Sequence, residues 1–216
     1  MIYQIDYSKL PDLSSCRLRY AMDEKIFTNL NKMPFVQERA LNSIRFCWLM
    51  QNIEYYLSIR GKELMSFRQG LLRAALAEFV SIEEILKKEI KHSIIQKKVL
   101  SIRDSQNPLL HIIRELRNFE LHLNSSRMNS NNIIMFWGRK TEPEVINETE
   151  LQVWTIDNLT VEGISELRNY SRYQKADIEK IINWFNDAQQ KWGVHYLIFL
   201  AVELFCEEII NFYSIN

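Results

Sequence analysis

Residues 107–123, NPLLHIIRELRNFELHL, constrain the fold most tightly, because their apolar positions recur at a helical period and at no other. Asn107 stands where a helix wants a capping side chain, and Pro108 suits the first turn, where its missing N–H costs nothing. With Leu116 as reference and about 100° per residue, Leu109, Ile112, Ile113, Phe119 and Leu123 fall within about 60° of it and make a core-facing stripe. Arg117 lies at about +100°, Asn118 at about −160° and His122 at about −120°, so all three project away from that stripe. Leu110 and Leu121 lie beside Arg117, at roughly 120° and 140°. A helix apolar on both sides of its polar groups predicts a covering surface on both.

The rest of the chain reads as a scaffold for this helix. Pro34 opens a helical pattern that runs to about Arg60 and ends at Gly61, and a second helical run spans residues 63–88. Only Gly61 and Lys62 separate the two, so they should pack as an antiparallel hairpin. Arg68 and Glu83 fall on the core side of the second run, near Phe79, and are expected to pair with charges on neighbouring helices or to snorkel outwards. The segment before Met33 suggests an extended strand followed by a short helix. Beyond the polar stretch NSSRMNSNN, the segments IIMFWGRK and ELQVWTID are rich in β-branched and aromatic residues and are punctuated by Gly138 and Pro143. They predict a β-hairpin near residues 131–157. A lone hairpin is marginal in water, so Phe136, Trp137 and Trp154 should pack it onto the helices. Thr160 reads as the cap of a short helix and Asp177 as the cap of a long final one, with Gly193 as a kink. The expected fold is mainly α: one domain over residues 1–216, an antiparallel helical bundle with a small β-hairpin insertion.

Composition narrows the function classes. Lys+Arg 27 balances Asp+Glu 27, so the chain is no general polyanion binder, and affinity for nucleic acid must come from a local patch. Residues 87–103, KKEIKHSIIQKKVLSIR, are the most basic stretch, and Lys91, Lys97 and Lys98 are its candidates for phosphate contacts. Cys16, Cys47 and Cys206 are too few and too scattered for a disulfide framework or a zinc pattern. His92 and His195 have no ligand-spaced neighbours, and there is no Gly-rich phosphate loop or nucleophile elbow, so neither metal nor cofactor is expected. Residues 196–205 come nearest to a membrane span, but Glu203 interrupts them. The first residues lack the basic start and apolar run of a signal peptide, so a soluble, cytoplasmic protein is expected.

Arg117 followed by Asn118, with His122 five positions after the arginine, resembles the arginine–four residues–histidine signature of the HEPN superfamily. The position of the motif on a late helix, after a long helical hairpin, resembles that family too; the β-hairpin is not part of its common core. The resemblance implies a metal-independent endoribonuclease in which Arg117, Asn118 and His122 are catalytic. The residue types fit that chemistry. Histidine, with an ordinary pKa near 6.5, exchanges protons at neutral pH, and arginine offers a fixed fork of donors to phosphoryl oxygens. RNA supplies its own nucleophile, the 2′-hydroxyl. Because one histidine does not readily serve as both base and acid, the resemblance also implies a homodimer with facing motifs, for which Leu110 and Leu121 would form the interface. RNA, a second copy of the chain and an antitoxin or other protein are the expected partners, in a toxin–antitoxin or phage-defence role. The alternative is a non-catalytic HEPN-like module that binds a protein or regulates one.

Overall fold

A helix that is apolar on every side has to lie at the centre of its fold, and the last helix of this chain does. In the computed structural model this helix, α7 (Val194–Tyr213), is buried in every turn and touches helices α1 (Glu24–Leu30), α2 (Pro34–Tyr56), α3 (Gly61–His92), α4 (Pro108–His122) and α6 (Lys175–Trp192). The structure describes the chain apart from residues 1, 16–18, 57–59, 93–98, 123–126, 140–141 and 214–216, and apart from the side chains of residues 15, 92, 121–122, 136–139 and 142–147. A short helix, α5 (Val161–Ser165), and one antiparallel hairpin, β1 (Met128–Arg139) with β2 (Glu142–Ile156), complete it. The protein is thus mainly helical with a small two-stranded sheet. Among the described residues no helix is long and apolar enough to cross a membrane. Glu203, the charge inside the apolar run of α7, accepts both guanidinium nitrogens of Arg19 at 3.0 and 2.8 Å and the Asp23 amide at 2.7 Å. Those bonds replace the water that burial removes.

The helices α2 and α3 form the expected antiparallel hairpin, held by Ser43 Oγ donating to the Ala75 carbonyl at 2.8 Å and by the Arg39–Glu78 pair at 3.2 Å. Gly61 opens α3 with φ +63°, a conformation that costs a residue with a Cβ far more than glycine. The two polar side chains expected on the core side of α3 are buried and paired. Arg68 binds Glu54 at 2.7 Å and the Met50 carbonyl at 3.2 Å and lies over the Trp154 ring at 3.5 Å. Glu83 binds Lys87 at 2.8 Å and the Ile102 amide at 3.2 Å, with Arg114 at 3.9 Å. Burial pushes the Glu83 carboxyl upward, but Lys87 and Arg114 outweigh it and hold the group below its ordinary pKa.

Three expectations about ends and entries are corrected. The N-terminal segment holds two 3-10 turns, Tyr7–Lys9 and Leu13–Ser15, before α1, and no strand among its described residues. Asp177 lies within the first turn of α6 and not at its cap, where Gln174 stands. Its acidic charge still favours that end of the helix. Gly193 does not kink one helix but divides two, because its φ of +77° and ψ of 151° belong to no helix. A Cβ at Gly193 would also lie 2.2 Å from Cε1 of His195. Gly193→Ala is therefore expected to cost about 3 kcal/mol, as a drop in the urea midpoint with the unfolding slope unchanged.

The hairpin rests on the bundle by its base. Val153, Trp154, Thr155 and Ile156 are buried, and the Gln189 side chain of α6 both accepts from the Ile156 amide at 2.8 Å and donates to its carbonyl at 2.9 Å. That amide stands in for one residue of a third strand. Gln51 of α2 donates to the Gln152 carbonyl at 2.8 Å. Pro143 is tolerated near the tip because each strand of a two-stranded sheet is an edge. The side chains of Phe136 and Trp137 lie outside the described residues; of the aromatics expected to anchor the hairpin, Trp154 is seen to do so.

Candidate functional site

Asn107 caps α4 as its sequence demands, with Oδ1 accepting from the Leu109 amide at 2.9 Å. Its own Nδ2 donates to the Lys9 carbonyl at 2.7 Å, which ties the start of α4 to the N-terminal segment. Leu109, Ile112, Ile113, Leu116 and Phe119 are buried on the predicted stripe, and Leu123, its last member, lies outside the described residues. The helix runs antiparallel to α3, since Arg114 faces Glu83 while Arg73 binds Glu120 at 3.1 Å.

Leu110 corrects the expected dimer interface. It is 0% exposed, so this chain's own core already covers it and it has no surface to offer a second copy. The helical wheel showed that a second apolar face existed but not whether the cover comes from the same chain. Leu121 and His122 close α4, and their side chains lie outside the described residues. The helix backbone places His122 about 140° around and about 7.5 Å along from Arg117.

Arg117 and Asn118 lie on one polar chain. Asn118 donates Nδ2 to Glu115 at 3.0 Å, and its Oδ1 accepts from Arg117 at 3.3 Å. This orientation of the amide follows from chemistry, because a carboxylate only accepts and a guanidinium only donates. Among the described residues no carboxylate pairs with Arg117, and its buried Nε has no partner. Glu115, with which it might have paired, is taken up by Tyr173 Oη at 3.1 Å and Asn169 Nδ2 at 3.4 Å as well as by Asn118.

The chain continues inward to residues that sequence reasoning left unassigned. His111 meets Tyr173 Oη through Nδ1 at 3.1 Å and the Ser105 carbonyl through Nε2 at 2.8 Å. A carbonyl can only accept, so Nε2 carries the proton. Burial, aided by the Arg114 charge, holds His111 below its ordinary pKa despite the Ser105 bond, which leaves Nδ1 bare. Burial and the Glu115 charge push the Tyr173 phenol up, so it stays a donor whose one proton serves Nδ1 and Glu115 in turn. The Tyr3 ring packs on both, 5.1 Å from His111 and 4.8 Å from Tyr173. No sequence spacing signals this relay, because Tyr173 lies beyond the hairpin. Tyr173→Phe should cost about 1–3 kcal/mol through the groups it strands, read as a lower urea midpoint, and should free Glu115 to rotate away from Asn118.

The basic stretch lies elsewhere. Lys91 is exposed near the end of α3, whereas Glu120 meets α3 at Arg73, about 27 Å away by helix rise. The basic sequence leads into the N-terminal end of α4, and Arg117 and His122 sit towards its other end. Lys97 and Lys98 lie outside the described residues. Cys47 and Cys206 are buried free thiols, pushed up by burial, while Cys16 is outside the described residues. Among the described residues no three His, Cys, Asp or Glu side chains gather as metal ligands. No protein-family model matches the sequence, and no curated protein or solved structure is significantly similar to it.

Proposed function

We propose that this chain is a HEPN-like, metal-independent endoribonuclease. The observation that carries the reading is the Glu115–Asn118–Arg117 arrangement: a guanidinium with no carboxylate partner among the described residues, set by an amide that a buried acid orients, one and a half turns from His122. The N–H donors that Asn118 leaves to this guanidinium suit the equatorial oxygens of a reacting phosphate. His122 takes the proton of the 2′-hydroxyl as its oxygen bonds to phosphorus. The bond from phosphorus to the 5′-oxygen breaks, and that oxygen leaves with a proton from a second acid. The products are a 2′,3′-cyclic phosphate and a 5′-hydroxyl.

The second acid is His122 of a second copy, brought up in a homodimer through the face that carries Leu121. Such an activity fits a toxin or phage-defence effector held in check by an antitoxin protein. The test is total RNA incubated with the purified chain in excess chelator, with light scattering of the same sample. Cleavage that leaves cyclic-phosphate ends, from a dimer at micromolar concentration, is the expected result. A monomer that cleaves overturns the two-histidine arrangement. A chain that cuts no RNA and causes no growth defect on expression overturns the whole reading in favour of a non-catalytic interaction module.

A further inference from the structure

Two adjoining hollows, of about 590 and 710 Å³, lie at the base of the hairpin. Both are lined by Glu54, Gly61, Leu64, Arg68, Gln152 and Trp154. The second also takes in Arg127, five positions beyond His122, and Gln69, one turn of α3 from the Arg73 that holds Glu120.

Their chemistry is that of a nucleic-acid surface in a chain without net charge. Arg60, Lys62, Arg68 and Arg127 line the hollows against Glu54 and Glu150. Of the two acids, Glu54 is bound to Arg68 at 2.7 Å and Glu150 to the Asn132 amide at 2.8 Å. Aromatic rings stand free beside these charges. Tyr55 is 86% exposed and lines the first hollow, and Tyr56, 61% exposed, touches Trp48 at 5.6 Å on the same outer strip of α2. A monomer gains nothing by exposing three large rings in a row.

Resting on the ribonuclease reading for its ligand, we propose that this surface is the substrate track, and that it takes single-stranded RNA. Tyr55 stacks a base, and Arg60, Lys62 and Arg127 contact phosphates. Duplex RNA hides its base edges and faces, so it should bind poorly.

The test is fluorescence anisotropy with a labelled single-stranded RNA heptamer, in chelator, on His122→Ala protein so that the probe stays intact. Tyr55→Ala in that background should weaken binding about tenfold and leave the salt slope unchanged, because stacking carries no counterions. Arg60→Gln with Lys62→Gln should lower the slope by about 1.4, at about 0.7 for each single-strand phosphate contact. These side chains are exposed, so the variants keep the fold. Binding that ignores all three changes, or that favours a duplex of the same sequence, overturns the track. So does loss of a protein partner in these variants with RNA affinity unchanged. Track-dependent binding by a chain that never cleaves leaves the track standing and removes the ribonuclease; cleavage by a chain whose RNA affinity ignores the three changes does the reverse.

Discussion

His122→Ala is expected to slow RNA cleavage by about 10²–10⁴-fold, the usual contribution of one positioned proton-transfer group. Arg117→Ala should cost a few kcal/mol of charge stabilisation, about 10²–10³-fold in rate. Arg117→Lys should rescue little of this, since an ammonium keeps the charge but loses the fork that Asn118 aligns. The core stripe of α4 is formed by other residues, so all three variants should unfold at close to the wild-type urea midpoint. Initial rates on total RNA in excess chelator, together with growth after induced expression, measure the effect. Wild-type cleavage or toxicity in His122→Ala would remove the catalytic assignment and leave the helical fold untouched. Asn118→Asp is the finer probe. A carboxylate there would face Glu115 and pair with Arg117, occupying the donors that a phosphate needs, so the rate should fall although Arg117 is better held.

What was legible in the sequence was whatever depends on neighbours along the chain. Asn107 and Thr160 cap the helices they were expected to cap, and the described part of the α4 stripe is buried as its period required. The paired hairpin runs Met128 to Arg139 against Glu142 to Ile156, close to its expected bounds, because runs of β-branched and aromatic residues act locally. What was not legible depends on which element lies opposite. Leu110 looked like an interface because a helical wheel cannot tell a partner molecule from the chain's own core. Lys91 stood out as a phosphate contact, and sequence order hides the antiparallel run of α3 against α4 that sets it far from the Arg117 end of α4. Glu115, His111 and Tyr173 come together only after the chain has passed through the hairpin and returned.

His195 should make the fold acid-sensitive. It is fully buried at the start of α7, its ring stacks with Tyr20 at 5.9 Å, and among the described residues neither ring nitrogen has a hydrogen-bond partner. Burial, with the Arg68 charge added, pushes its pKa down to about 3. The folded chain therefore keeps the imidazole neutral while the unfolded chain protonates it near 6.5, so between these values the unfolded state binds the extra proton. The contribution is complete above about pH 6.5 and is lost as pH falls, at roughly 1.4 kcal/mol per unit, or about 2 kcal/mol by pH 5 and about 4 kcal/mol by pH 3. The carboxyls of Glu203, Glu207 and Glu208, pushed up by burial, act in the opposite sense, because the fold takes up their protons first. They are common to the wild type and to His195→Phe, which keeps a ring of similar size and has no proton to bind. The gap between the urea midpoints of the two proteins should widen steadily from pH 6.5 to pH 5 in favour of the phenylalanine variant. Parallel curves would mean that His195 is protonated in the fold as readily as in the unfolded chain. In that case the buried ring must have found a partner for its charge, and Arg68, itself a cation, cannot be it.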